Sequence, residues 1–437
     1  MAGMTIKKWN GEKGLVEENK RPKVIDEVND PFARQKLITW WDQDKIEDAT
    51  IGVFGVGAIG NELVHNAALL GFKKMVLFDL DRIELSNLSR TLLFGKEDEG
   101  KKKAEVAAER ARKLCLANDP QIDWFCGDVM YEVGSGVFRR FDIILGCLDN
   151  DATRFYIDKQ CTRFGKPWIN AGISELSAGL QLFNHKETGT CFHCGESYET
   201  IARIMSRKAS CGKTAIADLK VGKIPTVQVA SAIVAGMQAQ EMVKYICGKH
   251  VDWGKNFYYQ GSNNTFEVSR TRVDEYCMHN HFAVVENVLE LENITQESTM
   301  REFIAEAKKR LGINGKLTVD LSDEQGREYI HSAYCAYCGA NVPVKVPRYK
   351  FKDEMAVCEL CKQMSENGEP SEPIVLYVYC FNEEETAPEI LDTTLGELGL
   401  PLLHVVRMCD EEENDYYVEM TGDLPRIMPN IFGKKEE

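Results

Sequence analysis

The sequence predicts an α/β fold: an open, mostly parallel sheet with helices on both faces, followed by a smaller second domain. Three observations predict it. The apolar run 51–54 leads into Gly55, Gly57 and Gly60, which reads as strand, tight turn and helix start. Strand and helix patterns then alternate from about residue 31 to 170, the order of successive strand–helix–strand units. Beyond residue 286 the pattern changes to short strands around a single helix.

In chain order, residues 1–30 are polar and charged and read as an N-terminal extension or mobile arm. Residues 50–54 read as a strand buried on both faces, because the apolar run is continuous rather than alternating. The glycines permit a sharp turn into a helix whose free backbone N–H groups face an anion. Residues 74–79 read as the next parallel strand. Asp79 closes it about twenty residues past the last glycine, where an acidic side chain meets a ribose hydroxyl. Residues 100–117 form a charged amphipathic helix whose cations, Lys103 excepted, are a solvated face. Strands follow at 122–126, 142–147, 167–170 and 180–184, then a cysteine pair, a polar excursion and a long small-residue helix over 226–246. After 286 come strand-like NVLEL, the helix STMREFIAEAKKRLG, strand-like KLTVDL, then PIVLYVYCF and TTLGELGLPLLHVVRM. The expected division is 1–30, a nucleotide-binding domain over 31–285, a C-terminal domain over 286–425 and a tail over 426–437.

At 437 residues the chain can bury a large core in two or three domains. A net charge of −15 argues against a nucleic-acid surface and suits basic partners or plain solubility. No apolar run is long enough to cross a bilayer, and the N-terminus lacks a signal-peptide core, so a cytoplasmic protein without membrane contact is expected. Several of the fifteen cysteines sit in apolar strands or helices and others form Cys-x-x-Cys pairs, a pattern of zinc and reduced thiols rather than disulfides. Cys335, Cys338, Cys358 and Cys361 form two such knuckles about twenty residues apart, the spacing of a four-thiolate zinc ribbon at about 331–371.

The glycine turn alone suits a nicotinamide dehydrogenase, but the residues after the second strand do not. Asp81, Asn87 and Arg90 crowd the carboxyl end of that strand, where an open sheet binds its ligand. An arginine there suits phosphoryl chemistry, since its planar fork matches phosphate oxygens. The stretch DLDRIELSNLSRTLLF resembles the signature of the ubiquitin-activating enzyme family, which includes the ThiF–MoeB adenylyltransferases of thiamine and molybdopterin synthesis. GKKKAEVAAERARKL is similar to the family's helix start and places Lys103. DIILGCLDNDATR resembles its strand ending and places Asp149, Asn150 and Arg154. CFHC and GMQAQEMVKYICG match later elements, and FARQKLITWW places Arg34 in the second of two arginine positions, the first being absent. The resemblance covers most of 31–285 and implies a Rossmann-like, ThiF-type adenylation domain.

The resemblance implies carboxylate activation with ATP and Mg²⁺. Gly55, Gly57, Gly60 and Asp79 would hold the nucleotide, with Asp81 and Asn150 lining it. Asn87, Arg90 and Lys103 would hold and polarise the phosphates, and Asp149 would orient Mg²⁺. Arg34 would reach into the site of a second copy in a homodimer. Asp81 and Arg154 have a plainer reading as an ion pair that shapes the loop. By the same resemblance, Cys191 and Cys194 would share a second zinc with Cys277 and His281, His279 being the alternative fourth ligand and a redox or packed thiol pair the alternative for the cysteines. Cys211, flanked by Arg207, Lys208 and Lys213, would be the thioester cysteine, since cationic neighbours lower a thiol's pKa; otherwise it is an incidental loop thiol.

TTLGELGLPLLHVVRM resembles part of the β-grasp, ubiquitin-fold domain that recruits the conjugating enzyme, here carrying the ribbon as an insertion. The acidic runs 383–385 and 410–413 offer a surface to a basic helix of that partner, or are merely solvated. The leading expectation is activation of a ubiquitin-like protein through adenylate and thioester. The alternatives are an adenylyltransferase for a sulfur carrier or small acid without thioester, and a binding scaffold or nicotinamide enzyme.

Overall fold

The computed structural model describes residues 5–10, 14–19, 29–197, 199–201, 226–277, 284–322, 326–363 and 372–433. In the N-terminal extension, β1 (Thr5–Asn10) and β2 (Gly14–Asn19) pair antiparallel, so this stretch carries regular structure.

The main sheet is built in chain order from β3 (Thr50–Phe54), α1 (Ala58–Leu70), β4 (Lys74–Phe78), α2 (Lys103–Leu114), β5 (Gln121–Phe125), β6 (Ile143–Gly146), α3 (Asp151–Phe164), β7 (Trp168–Ser174), β8 (Ser177–Phe183), α4 (Gln228–Ile246), β9 (Lys255–Gln260) and β10 (Thr265–Arg270). Its strand order is β10-β9-β8-β7-β6-β3-β4-β5. The five strands β7 to β5 are parallel, and β8, β9 and β10 continue antiparallel. The order reverses between β3 and β6, so the carboxyl ends of these strands open a crevice where such sheets bind ligands.

The strand sequences explain the layers. Ile51, Val53, Met75, Leu77, Ile143, Leu145, Ile169 and Ala171 pack in one cluster with α1, α2 and α4. Their neighbours Phe54, Val76, Phe78, Ile144 and Trp168 point the other way, into a second cluster with α3. Both faces are therefore apolar, as continuous apolar strands require. The β9–β10 hairpin was not expected from the sequence. Its strands are half or fully exposed, so they lack the apolar run that marked the others.

The C-terminal part contains β11 (Val288–Leu291), α5 (Met300–Leu311), β12 (Leu317–Asp320), β13 (Tyr329–Tyr334), β14 (Asn341–Pro347), β15 (Val375–Val378), β16 (Cys380–Phe381), β17 (Val405–Asp410) and β18 (Asp415–Met420). A five-stranded sheet, β11-β18-β17-β12-β16, is parallel only at β11–β18. Thr299 and Glu302 cap α5 reciprocally, which sets its start. A three-stranded sheet, β14-β13-β15, carries the four-cysteine ribbon. The apolar segment 373–381 is divided between the two sheets, because the chain leaves the ribbon there and returns to the larger sheet. β18 was also not expected.

The two parts share a core. Leu402, Leu403, Val405, Ile427 and Met428 complete the second cluster under the main sheet. The Gly134 N–H donates to the Leu402 carbonyl at 2.6 Å and the Gly136 N–H to that of Leu403 at 2.8 Å. Fully buried Glu419 pairs with Arg139 and with Arg140 (3.0 Å), and Glu290 pairs with Arg139 (3.1 Å) and Arg140 (2.9 Å). The Arg327 guanidinium donates to the Met130 carbonyl at 2.7 Å, and Tyr131 stacks on Tyr349 with centroids 4.7 Å apart. The stretch expected as a tail begins as packed structure: Asn430 and Ile431 backbone N–H groups both donate to Asp123 of β5. Three residues of the two acidic runs are engaged at home, while Glu384, Glu411, Glu412 and Glu413 are exposed. Glu383 pairs with Lys308 (2.8 Å), Glu385 pairs with Lys316 (2.6 Å), and Asp410 accepts from Asn414 and Tyr416 in the β17–β18 turn. Among the described residues no helix is long and apolar enough to cross a membrane.

Candidate nucleotide crevice and cysteine clusters

The glycine turn lies at the switch point, between β3 and α1. Gly55 has φ +91°, and a Cβ there would lie 2.6 Å from the Cys147 carbonyl oxygen. A Cβ on Gly60 would lie 2.1 Å from the Gly55 oxygen, so α1 packs on the turn only without a side chain. At Gly57 an added Cβ would meet nothing within 4 Å. The turn is thus closed on its inner side and open at the N-terminus of a 13-residue helix, which suits a phosphate.

Asp79 closes β4 beside this turn. Its Oδ2 accepts from the Val56 N–H at 2.7 Å and its Oδ1 from the Asp81 N–H at 2.9 Å. Burial raises its pKa, against the pull of Lys103 and those two N–H bonds. Asp81 pairs with Lys103, Nζ to Oδ2 at 2.7 Å, and its carbonyl accepts the Lys103 N–H at 3.0 Å. Lys103 is buried at the first position of α2, so this cation is held at the crevice floor. The plainer reading of Asp81 with Arg154 is corrected. Arg154 binds Asp151 at 3.1 Å and the Leu148 carbonyl at 2.5 Å, because the first turn of α3 brings both within its reach.

Asn87 is buried and accepts the Glu84 N–H at 3.0 Å, closing the turn 85–90. Arg90 sits half-buried in that turn, donating to the Ser86 carbonyl at 2.7 Å. Asp149 is exposed after β6, and Asn150 caps α3 by accepting the Thr153 N–H at 2.8 Å. Arg34 is exposed on the short helix Ala33–Lys36. Cys147 is buried beside the glycine turn with its thiol pushed up to about 12 by burial, which rules out a nucleophile there.

Two cysteine clusters stand apart from the crevice. Cys335, Cys338, Cys358 and Cys361 place their sulfurs within 4.8 Å of one another, in a geometry that can hold a metal ion. Backbone N–H groups of Cys358, Cys338 and Tyr337 bring the Cys335 thiol down to about 6, while burial lifts Cys361 to about 12. Gly339, at φ +71°, turns the first knuckle as its N–H donates to the Cys335 carbonyl at 2.9 Å. The other cluster joins Cys191 to Cys194 (3.7 Å) and to Cys277 (3.6 Å). Bonds from Cys194 and Cys277, then burial, raise Cys191 well above the usual thiol range. A bound cation reverses that by stabilising thiolates. His279 and His281 lie outside the described residues, as do Cys211 and its basic neighbours.

A sequence model of the ThiF family matches residues 32–280, more than half of the chain. The chain belongs to the ThiF family. SUMO-activating enzyme subunit 2 of Dictyostelium discoideum is 36% identical over 152 residues, covering 35% of this chain and 22% of that protein. Ubiquitin-like modifier-activating enzyme 5 of Gallus gallus is 26% identical over 270 residues, covering 56% and 62%. The chain spans less than two thirds of the length of either curated relative. A solved structure of E. coli MccB with AMPCPP and SeMet MccA aligns with TM-score 0.48 and 22% identity, covering 59% of this chain and 76% of that one.

Within this ThiF-family domain the structure gathers Gly55, Gly57, Gly60, Asp79, Asp81 and Lys103 at one strand end. It gives roles to two buried amides, Asn61, which the sequence reading missed, and Gln238, which lay in the GMQAQEMVKYICG match without a role. Buried Asn61 donates to the Val56 carbonyl at 2.8 Å and accepts the Leu93 N–H at 2.8 Å, fastening the glycine turn to the segment after Arg90. Its only signal is an amide on an otherwise apolar helix face. Gln238 of α4 donates to the Ile169 carbonyl at 2.8 Å and the Gly146 carbonyl at 3.3 Å, clamping the ends of β6 and β7.

Proposed function

We propose that this chain uses ATP to activate the C-terminal carboxylate of a ubiquitin-like protein. The observation that carries this reading is the open turn at Gly57, set beside Asp79 and the Lys103–Asp81 pair in a ThiF-family domain. A carboxylate oxygen attacks the α-phosphorus and the bond to pyrophosphate breaks, leaving an acyl-adenylate. Negative charge grows on the phosphoryl oxygens, so fixed donors and cations lower the barrier. Asp79 would take the ribose, the α1 N-terminus and Asn87 the phosphates, and Lys103 and Arg90 the developing charge. Asp149 would hold Mg²⁺, which supplies further charge neutralisation. Arg34, exposed near the start of the domain, would complete the site of a second protomer in a homodimer. The Cys211 thiolate would then attack the acyl carbonyl, displacing AMP and keeping the acyl group as a thioester. This chemistry would take place in the cytoplasm.

Both cysteine clusters would hold structural Zn²⁺. The four ribbon thiolates close one site, and His281 would complete the other. The five-stranded sheet, with its first and last strands parallel and α5 on one face, would be a ubiquitin-fold variant that receives the conjugating enzyme. Its opposite face is partly taken by the adenylation domain through Glu290 and Glu419.

Incubation with ATP and a ubiquitin-like carrier, followed by a non-reducing gel, tests the reading. A thiol-sensitive adduct lost in Cys211→Ala but kept in Cys380→Ala is expected. Adenylate without adduct would favour a sulfur carrier as substrate. No pyrophosphate exchange with any ubiquitin-like carrier would overturn the proposal.

A further inference from the structure

One carboxylate outside the crevice has more partners than its helix needs. Asp158 is fully buried in the middle of α3. Its Oδ1 accepts the Phe192 N–H at 2.9 Å and the Trp168 indole N–H at 3.1 Å. Its Oδ2 faces His193 Nδ1 at 3.4 Å. Phe192 and His193 are the two residues between Cys191 and Cys194, so Asp158 grips the knuckle by both of its inner residues. The carboxylate, the Cys191 sulfur and the His193 nitrogen all lie within 4.8 Å of one another. A carboxylate beside a thiolate knuckle, bonded to its backbone and to a fixed indole, sets where the sulfurs point.

The same helix begins at the nucleotide crevice. Asn150 caps it, one residue after Asp149, and Arg154 holds the Leu148 carbonyl. Asp149 and Asp158 are separated by nine residues, on the order of 14 Å of helix axis. Past the cluster, the Val285 N–H donates to the Arg163 carbonyl at 2.7 Å, so the last turn of α3 is tied as well.

We propose that Asp158 is the outer-shell carboxylate of the Cys191–Cys194–Cys277 metal site, and that α3 couples this site to the loop bearing Asp149. This rests on the proposed zinc binding and adenylation. Asp158 is a positioning residue: it touches neither nucleotide nor metal and acts through the knuckle and the helix.

The test is zinc release from the purified full chain to a chromophoric chelator. Cys338→Ser identifies the ribbon phase and Cys194→Ser the other. Asp158→Asn should speed release from the first cluster by about tenfold or more, the usual scale for an outer-shell loss, with the ribbon phase unchanged. An unchanged first phase overturns the proposal. Should Asp158→Asn fold poorly, His193→Gln removes the imidazole that faces Oδ2 and packs on Phe155, and should speed the same phase by a smaller factor; no change there overturns it too. A third zinc per chain, lost in both variants, would also overturn it, by making Asp158 and His193 ligands of a second ion sharing Cys191. If Cys194→Ser loses no zinc, the metal reading itself has failed, which is a separate result. In ATP–pyrophosphate exchange, Asp158→Asn should raise KM for MgATP several-fold with kcat little changed. Faster zinc release with KM unmoved would break the link to Asp149.

Discussion

The two faces of the main sheet are covered in different ways. On one face α1, α2 and α4 of the same domain lie over Ile51, Val53, Met75 and Leu77. On the other, α3 covers only part, and Leu402, Leu403, Val405, Ile427 and Met428 from the far end of the chain complete the layer over Phe54, Val76 and Phe78. The first face is closed by apolar contact together with neutral amide bonds from Asn61 and Gln238. The second also carries buried ions, Glu419 with Arg139 and Arg140, and a buried imidazole, His404. The C-terminal part has its own apolar cluster and also completes a layer of the ThiF-family domain's core. Glu419, Arg139 and Arg140 tie the two parts together, and losing one partner of a buried pair is costly.

Removing residues 286–437 is the harshest way to break this comparison. It would strip the second face and expose a large aromatic patch. The expected outcome is an aggregated fragment without near-ultraviolet circular dichroism. A soluble, cooperatively folding 1–285 fragment would show that the second face closes without the C-terminal layer.

Glu419→Ala probes the ions alone. It leaves two guanidiniums half-paired in the seam and should cost about 3–5 kcal/mol in urea unfolding, the usual penalty for breaking a buried pair. Arg407→Ala, which removes an exposed partner of Asp320 and Asp415, should cost under about 1 kcal/mol. Equal costs would mean that the seam is solvated.

Lys103→Ala sharpens the contrast from the other side. The crevice lies at the strand ends, outside both layers, and Asp81 is exposed enough to lose its partner cheaply. Pyrophosphate exchange should fall by about 10²–10³-fold, with the urea midpoint nearly unmoved. A large stability loss would make Lys103 a structural cation.

This division also explains what the sequence disclosed. The strands β3, β4 and β6, the glycine turn and the ribbon knuckles are local patterns, each complete within a few residues. The crevice residues were legible because one strand–turn–helix unit carries most of them. Glu419 and Arg139 are 280 residues apart, and Asn430 reaches Asp123 across 307. No local pattern distinguishes such a charge from a solvated one, so the seam was invisible in the sequence. Asp158 was hidden for the same reason: its partners Trp168 and Phe192 meet it only once β7 and the knuckle fold against α3. Cys191 and Cys277, 86 residues apart, were joined only by family resemblance.

The gentlest probe of the second face is pH. His404 Nδ1 accepts the Ser135 N–H at 3.5 Å, and the Ser135 hydroxyl accepts the Val405 N–H at 3.3 Å. Burial, then the guanidiniums of Arg327 and Arg163, hold His404 well below the usual histidine range. The folded seam therefore keeps it neutral, while the unfolded chain takes up a proton below about pH 6.5. Its contribution is complete above that pH and is lost as pH falls below it, at up to about 1.4 kcal/mol per unit. Glu419, raised chiefly by burial, contributes with the opposite sign, since it gains a proton more readily folded than unfolded. The His404 effect is isolated by comparing urea unfolding of the wild type and His404→Gln at about pH 7.5 and about pH 5.5. The wild type should lose more stability than the variant on acidification, by about 1 kcal/mol. Equal losses would mean that His404 protonates in place. The second face would then be a wet interface between two domains, not the shared core that its packing describes.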